Sequence, residues 1–163
     1  MGQRPGLAGP RRGPARRPAF GPAWGAGAAP LIAVDSSVLV DVLRGAATPE
    51  ARAFRRLAGR EPIAIGDIVL LEVLRGASSE ERARAIEARL RAFDLVTMRD
   101  DALAVQAAAH YRRLRALGVT IRGMADLVIA AWCIARAVPL LQRGRDFAPL
   151  ATHCGLRLVS PGG

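Results

Sequence analysis

Four acidic residues of this chain occupy positions that ordinary surface exposure explains poorly. Asp35 and Asp146 follow short apolar runs, while Glu72 and Asp126 lie within apolar segments of helical length. Clustered carboxylates repel one another and raise one another's pKa, a conflict that a divalent cation removes. Oxygen ligands without His or Cys favour Mg²⁺ or Mn²⁺. Such an ion can activate water and stabilise the charge of an in-line phosphoryl displacement.

Each of the four acids also has a simpler structural interpretation. Asp35 and Asp126 are suited to capping helices. Glu72 is spaced to pair with Arg75, three residues further along a helix, and Asp146 fits an ordinary loop. The chemical interpretation explains all four positions at once, whereas the structural one needs a separate explanation for each.

Short apolar runs alternate with helical segments from residue 31 onward. The runs are typical of buried strands, and they lie at 31–34, 62–65, 95–96, 138–141 and 156–159. The alternation predicts an α/β fold, specifically a three-layer α/β/α sandwich with a short, mostly parallel central sheet. Sites in such folds form at the carboxyl ends of the strands, so we expect the four acids to meet there.

The helix boundaries follow from capping residues and from Gly. Asp35 is predicted to cap the first helix and Asp67 a later one, and Asp126 is predicted to open the apolar helix before the fourth strand. A long helix begins at Asp100, and its apolar face is predicted to extend to Leu117.

The charge of the chain is positive and unevenly distributed. All 24 basic residues are Arg, against 14 acidic residues, and the net charge is +10. Residues 1–30, rich in Gly, Pro and Arg and without an acid, are predicted to form a disordered tail. An inert tail, a basic RNA-contacting arm and a natural start near Leu31 stay open as alternatives. Residues 31–163 are predicted to form one domain that keeps an excess of Arg, which suits a polyanionic partner.

Several classes of protein are disfavoured by what the sequence lacks. Two isolated cysteines and two distant histidines do not predict a zinc site or a disulfide framework, and they suit a reducing cytoplasm. No apolar run is long enough for a membrane span, and residues 1–30 lack the apolar centre of a signal peptide. The absence of Lys and of a phosphate-binding GxxxxGK[ST] loop disfavours a nucleoside-triphosphate enzyme.

Four segments, taken in order, carry a resemblance to a known family. They are IAVDSSVLVDVL at 32–43, IAIGDIVLLEVLRG at 63–76, TIRGMADLVIAAWCIARAVPLLQRGRDF at 120–147 and HCGLRLV at 153–159. In these segments the chain resembles the PIN-domain family, and within it the VapC-type toxins of bacterial toxin–antitoxin pairs. The resemblance implies a metal-dependent endoribonuclease toxin that cleaves RNA, forms a homodimer and is held inactive by a cognate antitoxin.

The resemblance also implies roles for the acids. By position, Asp35 corresponds to the first metal ligand, Glu72 to the acid that positions metal-bound water, and Asp126 to a further direct ligand. These three acids form the implied metal set, and the implied ion is Mg²⁺, with Mn²⁺ as an alternative. Asp146 is the candidate for the fourth catalytic acid.

The fourth acidic stretch departs from the resembled pattern. The family's usual stretch reads like LLTRDRDF or LLHRDRDF, whereas this chain has LLQRGRDF at 140–147. Gly144 therefore stands at the first Asp of the pattern, Asp146 remains at the second, and Gln142 stands where Thr, Ser or His is usual. Losing an outer carboxylate typically costs about 10–100-fold. We expect reduced activity, or activity that needs high Mg²⁺ or Mn²⁺.

Arginines beside the proposed site are candidates for contacts with a polyanion. Arg122, Arg143 and Arg145 are the predicted contacts to RNA phosphates, with ordinary solvated Arg as the alternative. Asp41, further along the first helix, is expected to lie at the surface or to support Asp35.

Two rival functions remain open at this point. The first is a degenerate PIN domain that binds RNA or antitoxin without efficient cleavage, and Gly144 is its main support. The second is another Mg²⁺-dependent phosphoester hydrolase, such as a phosphatase or a DNA-directed nuclease. Metal-dependent cleavage of RNA, compared with DNA and a phosphomonoester, distinguishes the three.

Overall fold

The computed structural model describes residues 31–162, so the predicted disordered tail at 1–30 lies outside the described residues. Four short strands and seven helices are described in this range. The strands are β1 (Ile32–Val34), β2 (Ile63–Gly66), β3 (Asp94–Val96) and β4 (Leu140–Leu141). The helices are α1 (Ser36–Leu43), α2 (Pro49–Leu57), α3 (Asp67–Arg75), α4 (Glu80–Leu90), α5 (Asp101–Ala116), α6 (Met124–Arg136) and α7 (Phe147–Cys154).

The four strands form one parallel sheet in the order β3-β2-β1-β4. Because parallel crossovers are right-handed, the connections toward β3 place α1–α4 on one face and the return to β4 places α5 and α6 on the other. The helix contacts agree, since α1 packs on α2 and α3 while α5 packs on α6 and α7. The predicted three-layer α/β/α sandwich is confirmed, and its strands are entirely parallel.

The core is built mainly from aliphatic side chains. All residues of β1, β2 and β4 are buried, as expected for strands covered by helices on both faces. Phe147, Leu39 and Ile65 are among the largest side chains that are fully buried. Since β1 and β4 are central and apolar, the polar residues that follow them are held on a rigid support.

The carboxyl-terminal part of the chain differs from the prediction. The strand expected at 156–159 is reduced to a single parallel bridge between Leu140 and Leu158. An unpredicted helix, α7, precedes it and ends at Gly155, whose φ is +83°. Pro149 lies in the first turn of this helix, where proline is tolerated because that N–H needs no helical partner.

Two predicted details of the helices are also wrong, and a third is confirmed. Gly66, and not Asp67, is the N-cap of α3. Asp67 is the first helical residue, and its Oδ1 accepts hydrogen bonds from the backbone N–H groups of Ile68 (2.8 Å) and Met98 (3.1 Å). Leu117 is exposed because it follows the last turn of α5. The apolar helix α6 begins at Met124, and Asp126 lies in its first turn, as predicted.

None of the helices described between residues 31 and 162 is long and apolar enough to cross a bilayer.

Candidate active site

Asp35 and Asp146 lie at the carboxyl ends of the two neighbouring strands β1 and β4. The helix after β1 covers one face of the sheet, whereas α7, after β4, packs with the helices of the other face. The two chain directions diverge here and leave a crevice, which is where ligands bind in open parallel sheets. The topology therefore brings the first and last of the four acids to the same edge.

Asp35 divides its two carboxylate oxygens between a structural role and the crevice. Its Oδ2 caps α1 by accepting from the Ser37 N–H (3.1 Å) and the Ser37 Oγ (2.5 Å). Its Oδ1 is buried and accepts no hydrogen bond from the described residues. The Asp35 side chain is only 3% exposed, and a buried oxygen without a donor is costly. The predicted cap is confirmed, and capping leaves Oδ1 unexplained.

Asp126, in the first turn of α6, is electrostatically coupled to the other three acids. Burial, with the help of the three other negative charges, raises the pKa of Asp126 from 3.8 to about 6. In order of effect these charges belong to Asp35, Asp146 and Glu72. Three of the acids predicted from the sequence therefore act electrostatically on the fourth.

Glu72 projects from α3, a helix that contacts α6 beside the crevice. Its Oε2 is buried and has no hydrogen-bond partner among residues 31–162. No ion pair joins Glu72 to Arg75 within that range. Glu72 therefore does not form the helical ion pair with Arg75 that its simpler structural interpretation requires.

The loop after β4 places Asp146 within this environment despite the glycine at 144. The Oδ2 of Asp146 accepts a hydrogen bond from the backbone N–H of Arg122 at 3.1 Å. Asp146 stands at the N-cap position of α7 but makes no side-chain capping bond there. Its carboxylate is directed to the α5–α6 loop instead, which keeps its charge near Asp126.

Gly144 leaves room for a side chain. A Cβ added there would lie 3.4 Å from the nearest ring carbons of Phe147 and 3.9 Å from the Oε1 of Gln142. These are ordinary van der Waals separations or close to them. The Gln142 Oε1 is itself buried and accepts no hydrogen bond from the described residues. Thus an amide oxygen, which the sequence analysis did not propose as a ligand, lies beside the missing carboxylate.

The oxygen atoms of the crevice suit a hard divalent cation. Asp35 Oδ1, Glu72 Oε2 and Gln142 Oε1 are buried acceptors without donors in the described chain, and carboxylate and amide oxygens are the ligands that Mg²⁺ and Mn²⁺ prefer. Two other buried polar atoms without partners lie outside this set, on Glu61 in the turn before β2 and on Trp132 in α6.

The acids do not form a closed ligand cage as they stand. Among the described residues no three Asp, Glu, His or Cys side chains lie close enough together to hold a metal ion. Mutual repulsion keeps like charges apart, and an ion is what would draw them together. The residue types and the acceptors without donors therefore fit a cation, and binding one would require these side chains to move closer together.

The three predicted phosphate-contacting arginines differ in their surroundings. The Nη1 of Arg143 is 2.6 Å from the Oδ2 of Asp41, which also accepts from the Thr48 Oγ1 at 3.0 Å. Asp41 is thus largely enclosed and anchors the loop after β4, contrary to the expectation of a surface position. Arg122 and Arg145 are exposed, and their guanidinium groups form no hydrogen bond or ion pair among residues 31–162. They are the more available pair for an anion.

Gly123 is a positioning residue that the sequence analysis missed. A Cβ at this position would overlap the carboxylate of Asp126, lying 2.8 Å from its Cγ. The φ of Gly123 is −83°, which any residue can adopt. Glycine is therefore needed here for space rather than for backbone freedom, and the signal in the sequence is a Gly three residues before a helical Asp.

Gly123→Ala is expected to displace the Asp126 carboxylate without unfolding the protein. We expect metal-dependent activity to fall about 10–100-fold, as for other residues that orient metal ligands. The rise in Tm on adding Mn²⁺ is expected to fall as well, measured by thermal unfolding. Gly59→Ala is the matched control, because a Cβ there meets nothing within 4 Å. An unchanged Mn²⁺-dependent rise in Tm for Gly123→Ala would contradict this role.

The fold and crevice together define a three-layer α/β protein with acids gathered at the switch point of a parallel sheet. The sequence model of the PIN domain matches residues 32–152. The chain therefore belongs to the PIN-domain family.

Solved structures with the same fold include several toxin–antitoxin complexes. A chain of VapBC2 from Rickettsia felis, bound to a promoter DNA fragment, is 20% identical with a TM-score of 0.65, covering 79% of this chain and 97% of that chain. A chain of VapBC-1 from nontypeable Haemophilus influenzae is 15% identical with a TM-score of 0.65, and the match covers 82% of this chain and 99% of that chain. A chain of VapBC-5 from Mycobacterium tuberculosis is 23% identical with a TM-score of 0.59, covering 79% and 97%. At these identities the likeness establishes the fold.

Proposed function

We propose that this protein is a VapC-type toxin, a metal-dependent endoribonuclease neutralised by a cognate antitoxin. The observation that carries the proposal is the coupled acidic cluster. Burial and three neighbouring carboxylates raise the pKa of Asp126 to about 6, and the crevice contains buried oxygens without donors. Perturbed carboxylates of this kind are characteristic of functional sites.

The proposed chemistry is hydrolysis of an RNA phosphodiester. Asp35 and Asp126 would hold Mg²⁺ or Mn²⁺ together with Glu72, and the bound ion would supply positive charge that acidifies water and stabilises the phosphoryl charge. The Oε2 of Glu72, which has no donor in the described chain, is available to accept a hydrogen bond from the attacking water. Exposed Arg122 and Arg145 would orient the substrate phosphates.

The proposed protein partner follows from the comparisons. Several solved structures of this fold are VapBC toxin–antitoxin complexes, which supports a cognate antitoxin. The homodimer and the cytoplasmic location remain predictions.

A second candidate is a PIN domain that binds RNA or antitoxin without efficient cleavage. Gly144 favours it, because the crevice lacks a carboxylate at that position. The coupling of Asp146 to Asp126 favours the catalytic proposal, because a fourth negative charge is still present.

The decisive experiment compares three substrates. Purified protein, freed of any bound partner, is incubated with structured RNA, DNA and a phosphomonoester in Mn²⁺ or in EDTA. A variant carrying Asp35→Asn and Asp126→Asn is tested beside it. We expect RNA cleavage that needs Mn²⁺ and disappears in the variant. RNA binding without cleavage supports the second candidate, and preferential hydrolysis of DNA or the monoester supports a different phosphoester hydrolase.

A further inference from the structure

A groove of about 480 Å³ contains two of the acids together with two arginines that the sequence analysis did not assign to RNA. It runs between α3 and the start of α6, and its charged lining consists of Glu72, Asp126, Arg75 and Arg99. Its volume lies within the range of about 300–1,000 Å³ that is usual for ligand clefts. The groove therefore continues the acidic site along the surface toward basic side chains.

Both arginines are available to an anion. Arg75, in the last turn of α3, is exposed and its side chain forms no hydrogen bond or ion pair within the described chain. The Arg99 side chain is 63% exposed, and its Nε lies 3.8 Å from the Oδ2 of Asp67. That separation is well beyond the roughly 2.7–2.9 Å of a charge-assisted hydrogen bond. The Arg75 guanidinium therefore has no internal partner in the described chain, and that of Arg99 has only a long, exposed ion pair with Asp67, which a phosphate could replace at small cost.

The rest of the groove is apolar and unusually exposed. Leu71 is 55% exposed and Met124 is 77% exposed, and both line the groove beside the charged residues. Large apolar side chains next to exposed arginines suit a ligand that carries both phosphates and flat apolar faces. Single-stranded nucleic acid has this combination, since its backbone follows basic grooves while its unpaired bases contact apolar side chains.

We propose that this groove binds the RNA segment that flanks the scissile phosphate. Arg75 and Arg99 contact backbone phosphates, and Leu71 and Met124 contact a base. The inference rests on the proposed ribonuclease function and extends it, because it assigns a substrate path on the α3 side of the acids. Arg122 and Arg145 lie instead in the loops that precede α6 and α7, next to Asp146.

The test measures RNA binding and not cleavage. A fluorescently labelled single-stranded RNA is titrated by anisotropy in EDTA, at several KCl concentrations, with the full-length chain. For single strands, log Kobs changes with log[KCl] by about 0.7 for each neutralised phosphate. We expect Arg75→Ala/Arg99→Ala to bind the RNA more weakly than the wild type does. Its salt slope is expected to be shallower by about 0.7 for each phosphate contact that the two substitutions remove.

The matched control removes two arginines near the amino ends of the strands, away from the acids. Arg60 and Arg89 are exposed residues that shortly precede the amino ends of β2 and β3. Arg60→Ala/Arg89→Ala lowers the net charge equally, and we expect the wild-type salt slope. Equal reduction of the slope by both double variants would overturn the proposal, because the groove arginines would then act only through net charge.

The apolar part of the groove has a separate signature. Leu71→Ala/Met124→Ala is expected to weaken RNA binding about tenfold, because it removes the apolar surface against which the base is buried, while the salt slope stays unchanged. If this variant instead changes the mass measured by light scattering and leaves RNA affinity unaltered, Leu71 and Met124 belong to an interface between copies and the base contact is wrong. If the wild type cleaves RNA but the groove variants bind RNA as the wild type does, only this inference is refuted. If the wild type neither binds nor cleaves RNA, the proposed function is refuted as well.

Discussion

Asp126→Asn is expected to lower metal-dependent RNA cleavage by at least about 100-fold and yet to stabilise the metal-free protein above pH 6. The cleavage falls because the variant loses a carboxylate proposed as a direct metal ligand. The stability rises because a neutral amide of the same shape does not repel Asp35, Asp146 and Glu72, which together with burial raise the pKa of Asp126 to about 6.

The sign of the pH dependence follows from proton binding. Between pH 3.8 and about 6 the folded protein binds more protons at Asp126 than the unfolded chain does, so wild-type stability falls as the pH rises through this interval. The full shift corresponds to about 3 kcal/mol. Because Asp126 is only half-buried and solvent screens its charge, we expect a difference of about 1 kcal/mol between variant and wild type at pH 8.

Thermal or urea unfolding in EDTA at pH 4 and pH 8 measures this effect. The variant and the wild type are expected to be equally stable at pH 4, and the variant more stable at pH 8. Added Mn²⁺ is expected to raise the Tm of the wild type but hardly that of the variant. Glu81→Gln, on the exposed face of α4, is the charge-matched control and should show neither effect. A variant less stable than the wild type at pH 8 would exclude carboxylate repulsion as the cause.

Gly144→Asp is expected to raise RNA cleavage at low Mn²⁺ or Mg²⁺ by about 10–100-fold. The structure accepts a Cβ at this position, 3.4 Å from Phe147, so the added carboxylate need not distort the loop. It would lie near the Gln142 Oε1 and add a negative charge to the acidic cluster. The same charge is expected to lower the Tm of the metal-free protein and to enlarge the Mn²⁺-dependent rise in Tm.

Cleavage rates measured across a Mn²⁺ titration test this prediction. Gly144→Ala separates the effect of the carboxylate from the effect of a stiffer loop, and Gly144→Asn separates it from added size. Equal activity of the wild type and Gly144→Asp at every metal concentration would mean that Asp146 already performs the missing function.

Much of the fold could be predicted because its signals are local. The strands near 31–34 and 62–65 are continuous apolar runs, and Gly or capping residues bound most helices. The strand at 156–159 was overpredicted because apolar character alone does not supply a partner for its backbone. Helix α7 was missed because it is short and contains a proline in its first turn.

The acids of the site could also be anticipated, since topology gathers the carboxyl ends of neighbouring strands. The residues that surround and position these acids could not be predicted. Gln142 is a candidate because its Oε1 is buried without a donor. Gly123 is a candidate because it leaves space for the Asp126 carboxylate. Both properties appear only in the folded structure. Arg143 and Asp41 are 102 residues apart in sequence, and nothing in either local pattern indicates that they pair.

That pairing gives the loop after β4 a mechanical role. Arg143 fastens one end of the loop to α1 through Asp41, and Asp146 fastens the other end to the backbone of Arg122, just before α6. The loop thus connects the two helical layers at the carboxyl ends of the strands. Two of the acids, Asp35 at the N-cap of α1 and Asp126 in the first turn of α6, therefore stand at the starts of the two helices that this loop connects.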